Sequence, residues 1–214
     1  FSVKNCTAGG RILNAKATYA GGVCAYGNAA EIKNCINRMD VTGGKDGGAA
    51  GGVVGYIYGV DNCFNYGSIT NSAAKYIGGV AGYAKGTVQK CTNLADIAVT
   101  DSKTSHVGGV CGLTTGNITF CGNLGGIDAN GTTPSGDLFI GGIVGQTGYP
   151  VRQSYNHGDI TVSSGKVKYA GIIGDHQIVT NYANISDCFN TGNISGGYGI
   201  VAKVLTQGDM TGSN

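Results

Sequence analysis

Three aspartates, Asp40, Asp96 and Asp159, recur at one position of a repeated sequence unit. A row of carboxylates is the equipment with which some β-helical proteins cleave polysaccharides, one acid protonating the leaving oxygen and another activating water. Ser68, Gly126 and Asn193 hold that position in the other units. Stacked at the strand spacing, carboxylates on alternate units lie about 10 Å apart, slightly beyond the roughly 6.5–9.5 Å of an inverting pair. Skipping alternate units is also what avoidance of like-charge stacking produces, so no catalytic role is expected of them. A second row, Tyr26, Tyr56 and Tyr83, continues as Leu113, Gln146 and Asp175. If this row faces outward, its rings form an aromatic strip suited to stacking on sugars, with each phenol as a polar handle. The histidines His106, His157 and His176 fall in different rows without a repeat-matched acidic partner, and are expected to be exposed or capping side chains. No Cys-x-x-Cys pair or histidine cluster is present, so neither a metal nor a cofactor is expected.

The rows exist because the chain repeats. One signature, Gly-Gly-Val/Ile-x-Gly, runs at Gly51–Gly55, Gly78–Gly82, Gly108–Gly112 and Gly141–Gly145, with looser copies at 21–25, 170–174 and 199–202. A second, Val/Ile-x-x-Cys-x-Asn-x-x-x-Ile/Val, follows from Ile32, Val60, Val88, Ile118, Val151 and Ile185, and a seventh copy from Val3 has Ala8 in place of the asparagine. Its cysteine position reads Cys6, Cys35, Cys63, Cys91, Cys121, Ser154 and Cys188, in steps of 29, 28, 28, 30, 33 and 34 residues. Each period carries three short strand-like runs, for example 76–83, 87–91 and 96–100. A propeller blade would need four strands and about 40 residues. We therefore expect an all-β, right-handed parallel β-solenoid of six to seven coils with three short strands per coil, a single domain over 1–205 followed by a polar tail over 206–214.

Composition agrees. Of 214 residues, 41 are glycine, 36 isoleucine or valine and only six leucine, which favours strands over helices. A net charge of +2 gives no reason to expect a nucleic-acid partner. No apolar run approaches the roughly 18 residues of a membrane span. The chain begins at Phe1 inside a repeat and without a signal-peptide pattern, so we expect it to be a piece of a longer protein with adjoining domains.

In a solenoid, like residues stack coil on coil. Val53, Val80, Val110, Ile143 and Ile172 are expected to form one interior column, and Ile69, Ile97, Ile127, Ile160 and Ile194 another. The asparagines Asn37, Asn65, Asn93, Asn123, Asn156 and Asn190 are expected to take the left-handed conformation at a bend and to bond the backbone or one another. Six cysteines in one column, at about 4.8 Å with parallel side chains, suit no disulfide. Cys35, Cys63, Cys91, Cys121 and Cys188 are expected to be free, buried thiols, the first four with a raised pKa if the column faces inward, and Cys91→Ser to bury a poorly satisfied hydroxyl.

Together the two signatures resemble the GLUG-motif repeat, named for its Gly-Leu-apolar-Gly core. Gly52-Val53-Val54-Gly55 and Gly142-Ile143-Val144-Gly145 match that core with Val or Ile for Leu, and 62–67 and 187–192 look like its continuation. The resemblance implies a bacterial secreted or cell-surface protein, since such repeats accompany adhesins and immunoglobulin-A peptidases. Expected partners are a host glycan or host protein. The resemblance carries over no catalytic residue. The expected function is a non-catalytic adhesion or spacer module, the alternatives being a polysaccharide-cleaving β-helix or the accessory scaffold of a secreted peptidase.

Overall fold

A computed structural model describes residues 2–15, 17–44, 46–70, 73–163, 166–177 and 184–205. The expected tail over 206–214 lies outside them. Within the described residues the chain is a parallel β-solenoid of about seven turns, without helix. No helix there is long and apolar enough to cross a membrane.

The strands form three sheets, of twelve, eleven and six strands among the described residues. Every pairing joins a strand to its counterpart one coil on, so residues 27–34 apart in sequence become neighbours. Two of the three sheets receive the chain twice per coil. The coil of Asn93 runs Tyr76–Gly78, Ala81–Ala84, Val88–Gln89, Thr92–Asn93 and Ile97–Ala98. One coil earlier, Val54–Asp61 is a single strand spanning the second and third of these. The difference is one residue: two residues separate Ile57 from Val60, but three, Lys85 to Thr87, separate Ala84 from Val88. An extra residue cannot stay in the ladder and interrupts it.

Both expected apolar columns are buried, except that Ile194 at the last coil is half-buried. They belong to different clusters. The Val53 column packs with the cysteines, and the Ile69 column packs with Ala50, Ile77, Val107 and Ile140. Between them the glycine signature brings the backbone into close approach. A Cβ on Gly82 would lie 2.6 Å from the Ala50 nitrogen, and one on Gly112 2.7 Å from that of Ile77. No side chain fits there.

The asparagines do not sit at the left-handed bend. That conformation belongs to the residue just before each cysteine position: Asn5, Asn34, Asn62, Lys90, Phe120, Gln153 and Asp187, with φ between 49° and 55°. The chain turns at that residue, whereas the Asn column lies in the strand that follows. At the first bends the amides stack outside: Asn34 Nδ2 donates to Asn5 Oδ1 at 3.1 Å and Asn62 Nδ2 to Asn34 Oδ1 at 2.8 Å.

Candidate functional site

The asparagine column is an unbroken amide ladder. Asn37 Nδ2 donates to Asn65 Oδ1 at 2.7 Å, Asn65 to Asn93 at 2.8 Å, Asn93 to Asn123 at 2.8 Å, Asn123 to Asn156 at 2.7 Å, and Asn156 to Asn190 at 2.7 Å. The second amide proton goes to a carbonyl two residues on, as from Asn93 to Ala95 at 2.7 Å. Five of these side chains are fully buried, so the ladder lies inside the wall and offers no strip to a ligand.

All eight cysteines are free. The column follows the expected register, but its thiols are hydrogen-bonding groups as well as filler. Each accepts or donates at the bend. The Cys35 N–H points to Cys63 Sγ at 3.5 Å, and the thiols of Cys63 and Cys91 donate to the carbonyls of Asp61 and Gln89 at 3.3 and 3.1 Å. Burial pushes Cys91 well above the ordinary thiol value and raises Cys35 and Cys188, although Cys188, near the end of the stack, is half-buried rather than buried as expected. Cys63 departs from that expectation: the Cys91 thiol beside it is a donor that favours its thiolate and lowers it. Ser154 changes the expectation for a serine in this column. Its hydroxyl donates to the Arg152 carbonyl at 2.9 Å and accepts the Cys121 N–H at 3.2 Å, so an oxygen is fully satisfied here.

The carboxylate row is taken up in the same way. Asp40 Oδ1 accepts the Ser68 N–H at 2.9 Å, Asp96 Oδ1 that of Gly126 at 2.7 Å, and Asp159 Oδ1 that of Asn193 at 2.7 Å. Each aspartate caps the backbone of the next coil at its own row position. At two of the three the residue above adds a side-chain donor, Ser68 Oγ to Asp40 Oδ1 at 2.9 Å and Asn193 Nδ2 to Asp159 Oδ1 at 3.0 Å.

The tyrosine row has the expected register, Tyr26 beside Tyr56 beside Tyr83, but its rings pack on one another and on the adjacent sheet. Tyr19, Tyr26 and Tyr56 lie mutually 5.0–5.1 Å apart, Tyr56 lies 4.9 Å from Tyr83, and Tyr83 lies 5.8 Å from Tyr76. Tyr26 is 52 % exposed and Tyr56 only 8 %. The row is a packed ladder with one open end. It continues through Tyr76 and His106 to Phe139, with ring separations of 5.7 and 5.3 Å.

His106 and His176 are buried rather than exposed. His106 Nε2 has no hydrogen-bond partner and sits 3.9 Å from Asp175 Oδ2, itself buried and held by the amides of Gln146 and Gln177 at 3.2 and 2.8 Å. The partnership escaped the row comparison because the two residues belong to different sheets.

One surface feature had no signature in the repeat. Lys85-Gly86-Thr87, Thr115-Gly116-Asn117 and Gly148-Tyr149-Pro150 stack on successive coils, since Ala84, Thr114 and Thr147 are paired, as are Val88, Ile118 and Val151. Tyr58 precedes them, its carbonyl accepting the Gly86 N–H. Two glycines thus lie between two tyrosines and leave a trough of about 340 Å³, walled by Lys33, Asp61 and Gln89. Tyr58, 50 % exposed, closes one end, and half-buried Tyr149 the other. Lys33 lies 3.2 Å from Glu31 and 3.9 Å from Asp61, so on this wall one ammonium is shared by two carboxylates, and Lys85 is the second cation of the lining. The signal available in sequence was the extra residue at Lys85–Thr87, visible only once strands are paired.

The chain matches no protein-family model, no curated protein and no solved structure.

Proposed function

We propose that this chain is a non-catalytic repeat module of a bacterial cell-surface or secreted protein that presents the side of its solenoid to a host glycan or host protein. The observation that carries this reading is the state of the carboxylate row. Asp40, Asp96 and Asp159 each hold a backbone N–H of the next coil, so the acids best placed for polysaccharide cleavage are engaged in stacking coils. Bacterial origin and surface location rest on the resemblance to GLUG repeats alone. A stack of coils also serves as a spacer, because each coil added lengthens the rod by a strand spacing of about 4.8 Å.

The test pairs binding with turnover. The chain is applied to a glycan array and to immobilised host matrix proteins, and is incubated with acidic polysaccharides while reducing ends are counted. Binding without new reducing ends is the expected result. Sustained release of reducing ends that Asp96→Asn abolishes would overturn it in favour of the cleaving enzyme, and silence in every arm would leave the scaffold reading in its place.

A further inference from the structure

Resting on that surface-contact reading, we infer that the trough between Tyr58 and Tyr149 is a binding site for an uncharged oligosaccharide about three sugar rings long. Three properties select this occupant. The first is length. Tyr58 and Tyr149 are three coils apart, roughly 14 Å at the strand spacing, and that spacing is close to the advance per pyranose ring in an extended glycan. A chain laid along the solenoid axis therefore meets the same kind of position on each coil it crosses. The second is the pair of aromatic ends. A tyrosine ring offers a flat apolar face to a sugar ring and a phenol to its hydroxyls. Here two such rings flank a floor without side chains, because Gly86 and Gly116 stack with no room for a Cβ: one on Gly116 would come within 2.3 Å of the Gly86 backbone, and one on Gly86 3.1 Å from the Tyr58 ring.

The third property is charge. Two lysines and two acids line the trough. Lys33 is engaged by Glu31 and Asp61, and Lys85 Nζ reaches away to donate to the side-chain Oδ1 of Asn28 at 3.1 Å. The remaining polar lining, Thr87, Gln89, Thr115 and Asn117, is neutral. Such a surface supplies hydrogen bonds to hydroxyls and no excess of positive charge to attract a sulfated or uronic-acid chain. The packed row of Tyr26, Tyr56 and Tyr83 lacks these features, since Tyr56 has almost no free face.

The test follows backbone amide resonances of the full 214-residue chain titrated to about 10 mM with maltotriose, cellotriose, mannotriose, N-acetylchitotriose and, as the acidic arm, trigalacturonate. At least one neutral trisaccharide is expected to shift the amides of Gly86, Gly116 and Gln89. Tyr58→Ala and Tyr149→Ala are each expected to weaken it about tenfold, the loss of one ring contact, with Tyr58→Phe retaining most of the affinity and Tyr26→Ala changing it less than about twofold. Thr87→Arg, at an exposed position, blocks the trough without touching either ring and is expected to abolish binding. Shifts confined to the Tyr26–Tyr83 face, stronger binding of trigalacturonate, or no shift with any neutral trisaccharide would overturn the inference. Array or matrix binding that survives Thr87→Arg would overturn the trough alone and leave the surface-contact reading standing, whereas silence on both surfaces would remove both.

Discussion

A methyl group on Gly79 would lie 2.3 Å from Asn93 Cγ and 2.1 Å from the Gly109 carbonyl oxygen. The second glycine of the repeat and the asparagine thirteen or fourteen residues later are thus one structural device: the glycine yields the space in which the amide ladder stands. Gly52 with Asn65, Gly109 with Asn123 and Gly142 with Asn156 repeat it. Gly79→Ala must displace both ladder and backbone, and we expect it to cost more than about 4 kcal/mol or to prevent folding. Gly136→Ala, where a Cβ meets nothing within 4 Å, is the neutral control. Asn93→Asp keeps the shape but replaces two donated bonds, to Ala95 O and Asn123 Oδ1, with acceptors facing acceptors. It should destabilise by about 3 kcal/mol or more. Urea unfolding measures all three.

The cysteine column separates hydrogen bonding from filling. Cys63→Ala removes the acceptor of the buried Cys35 N–H, and a loss of about 1–3 kcal/mol is expected. Cys63→Ser should lose less than about 1 kcal/mol, because Ser154 shows an oxygen satisfied at an equivalent position. Equal losses would mean that volume alone matters. Reductant should leave the melting temperature unchanged, since every cysteine is free.

Phe120 takes φ 55° with its ring 53 % exposed. A non-glycine residue in that region carries backbone strain, and asparagine tolerates it best. Phe120→Asn matches Asn5, Asn34 and Asn62 at the same bend and should raise stability by about 0.5–1 kcal/mol. A lower unfolding midpoint would show that the ring contributes more than the strain removes.

His106 is held down to about 4, from an ordinary 6.5, chiefly by burial and then by the ammonium groups of Lys75 and Lys203. Asp175, at 3.9 Å, faces it as well. The unfolded chain therefore takes up this proton first as pH falls. The contribution is fully present above about pH 6.5 and is lost as pH drops from there towards 4, on the order of 3 kcal/mol in all. His106→Phe continues the stack between Tyr76 and Phe139 and carries no titrating nitrogen. Thermal melts between pH 7 and 4 should show a shallower decline for this variant than for the parent, and an unchanged slope would assign the acid sensitivity elsewhere.

Much of this architecture can be read from the chain without coordinates, for a physical reason: when a unit repeats, the register of every parallel pairing is written in the spacing of like residues. Cys35 stacks on Cys63, Asn65 on Asn93 and Ile69 on Ile97 because a slip would put an apolar residue opposite a polar one on every coil. The repeat therefore determined the sheets, the two apolar columns, the free cysteines and the row membership of Tyr26, Tyr56, Tyr83, Asp40, Asp96 and Asp159. It did not determine where a row points or what lies across from it, because neighbours in different sheets share no period. Only the folded chain packs Tyr56 between other rings, turns the aspartates onto the next coil's backbone, shifts the left-handed bend to the residue before each cysteine, and brings His106 to Asp175. The trough arises in the same way: one extra residue at Lys85–Thr87 interrupts a strand, and the pairing of successive coils sets Gly86 and Gly116 between Tyr58 and Tyr149.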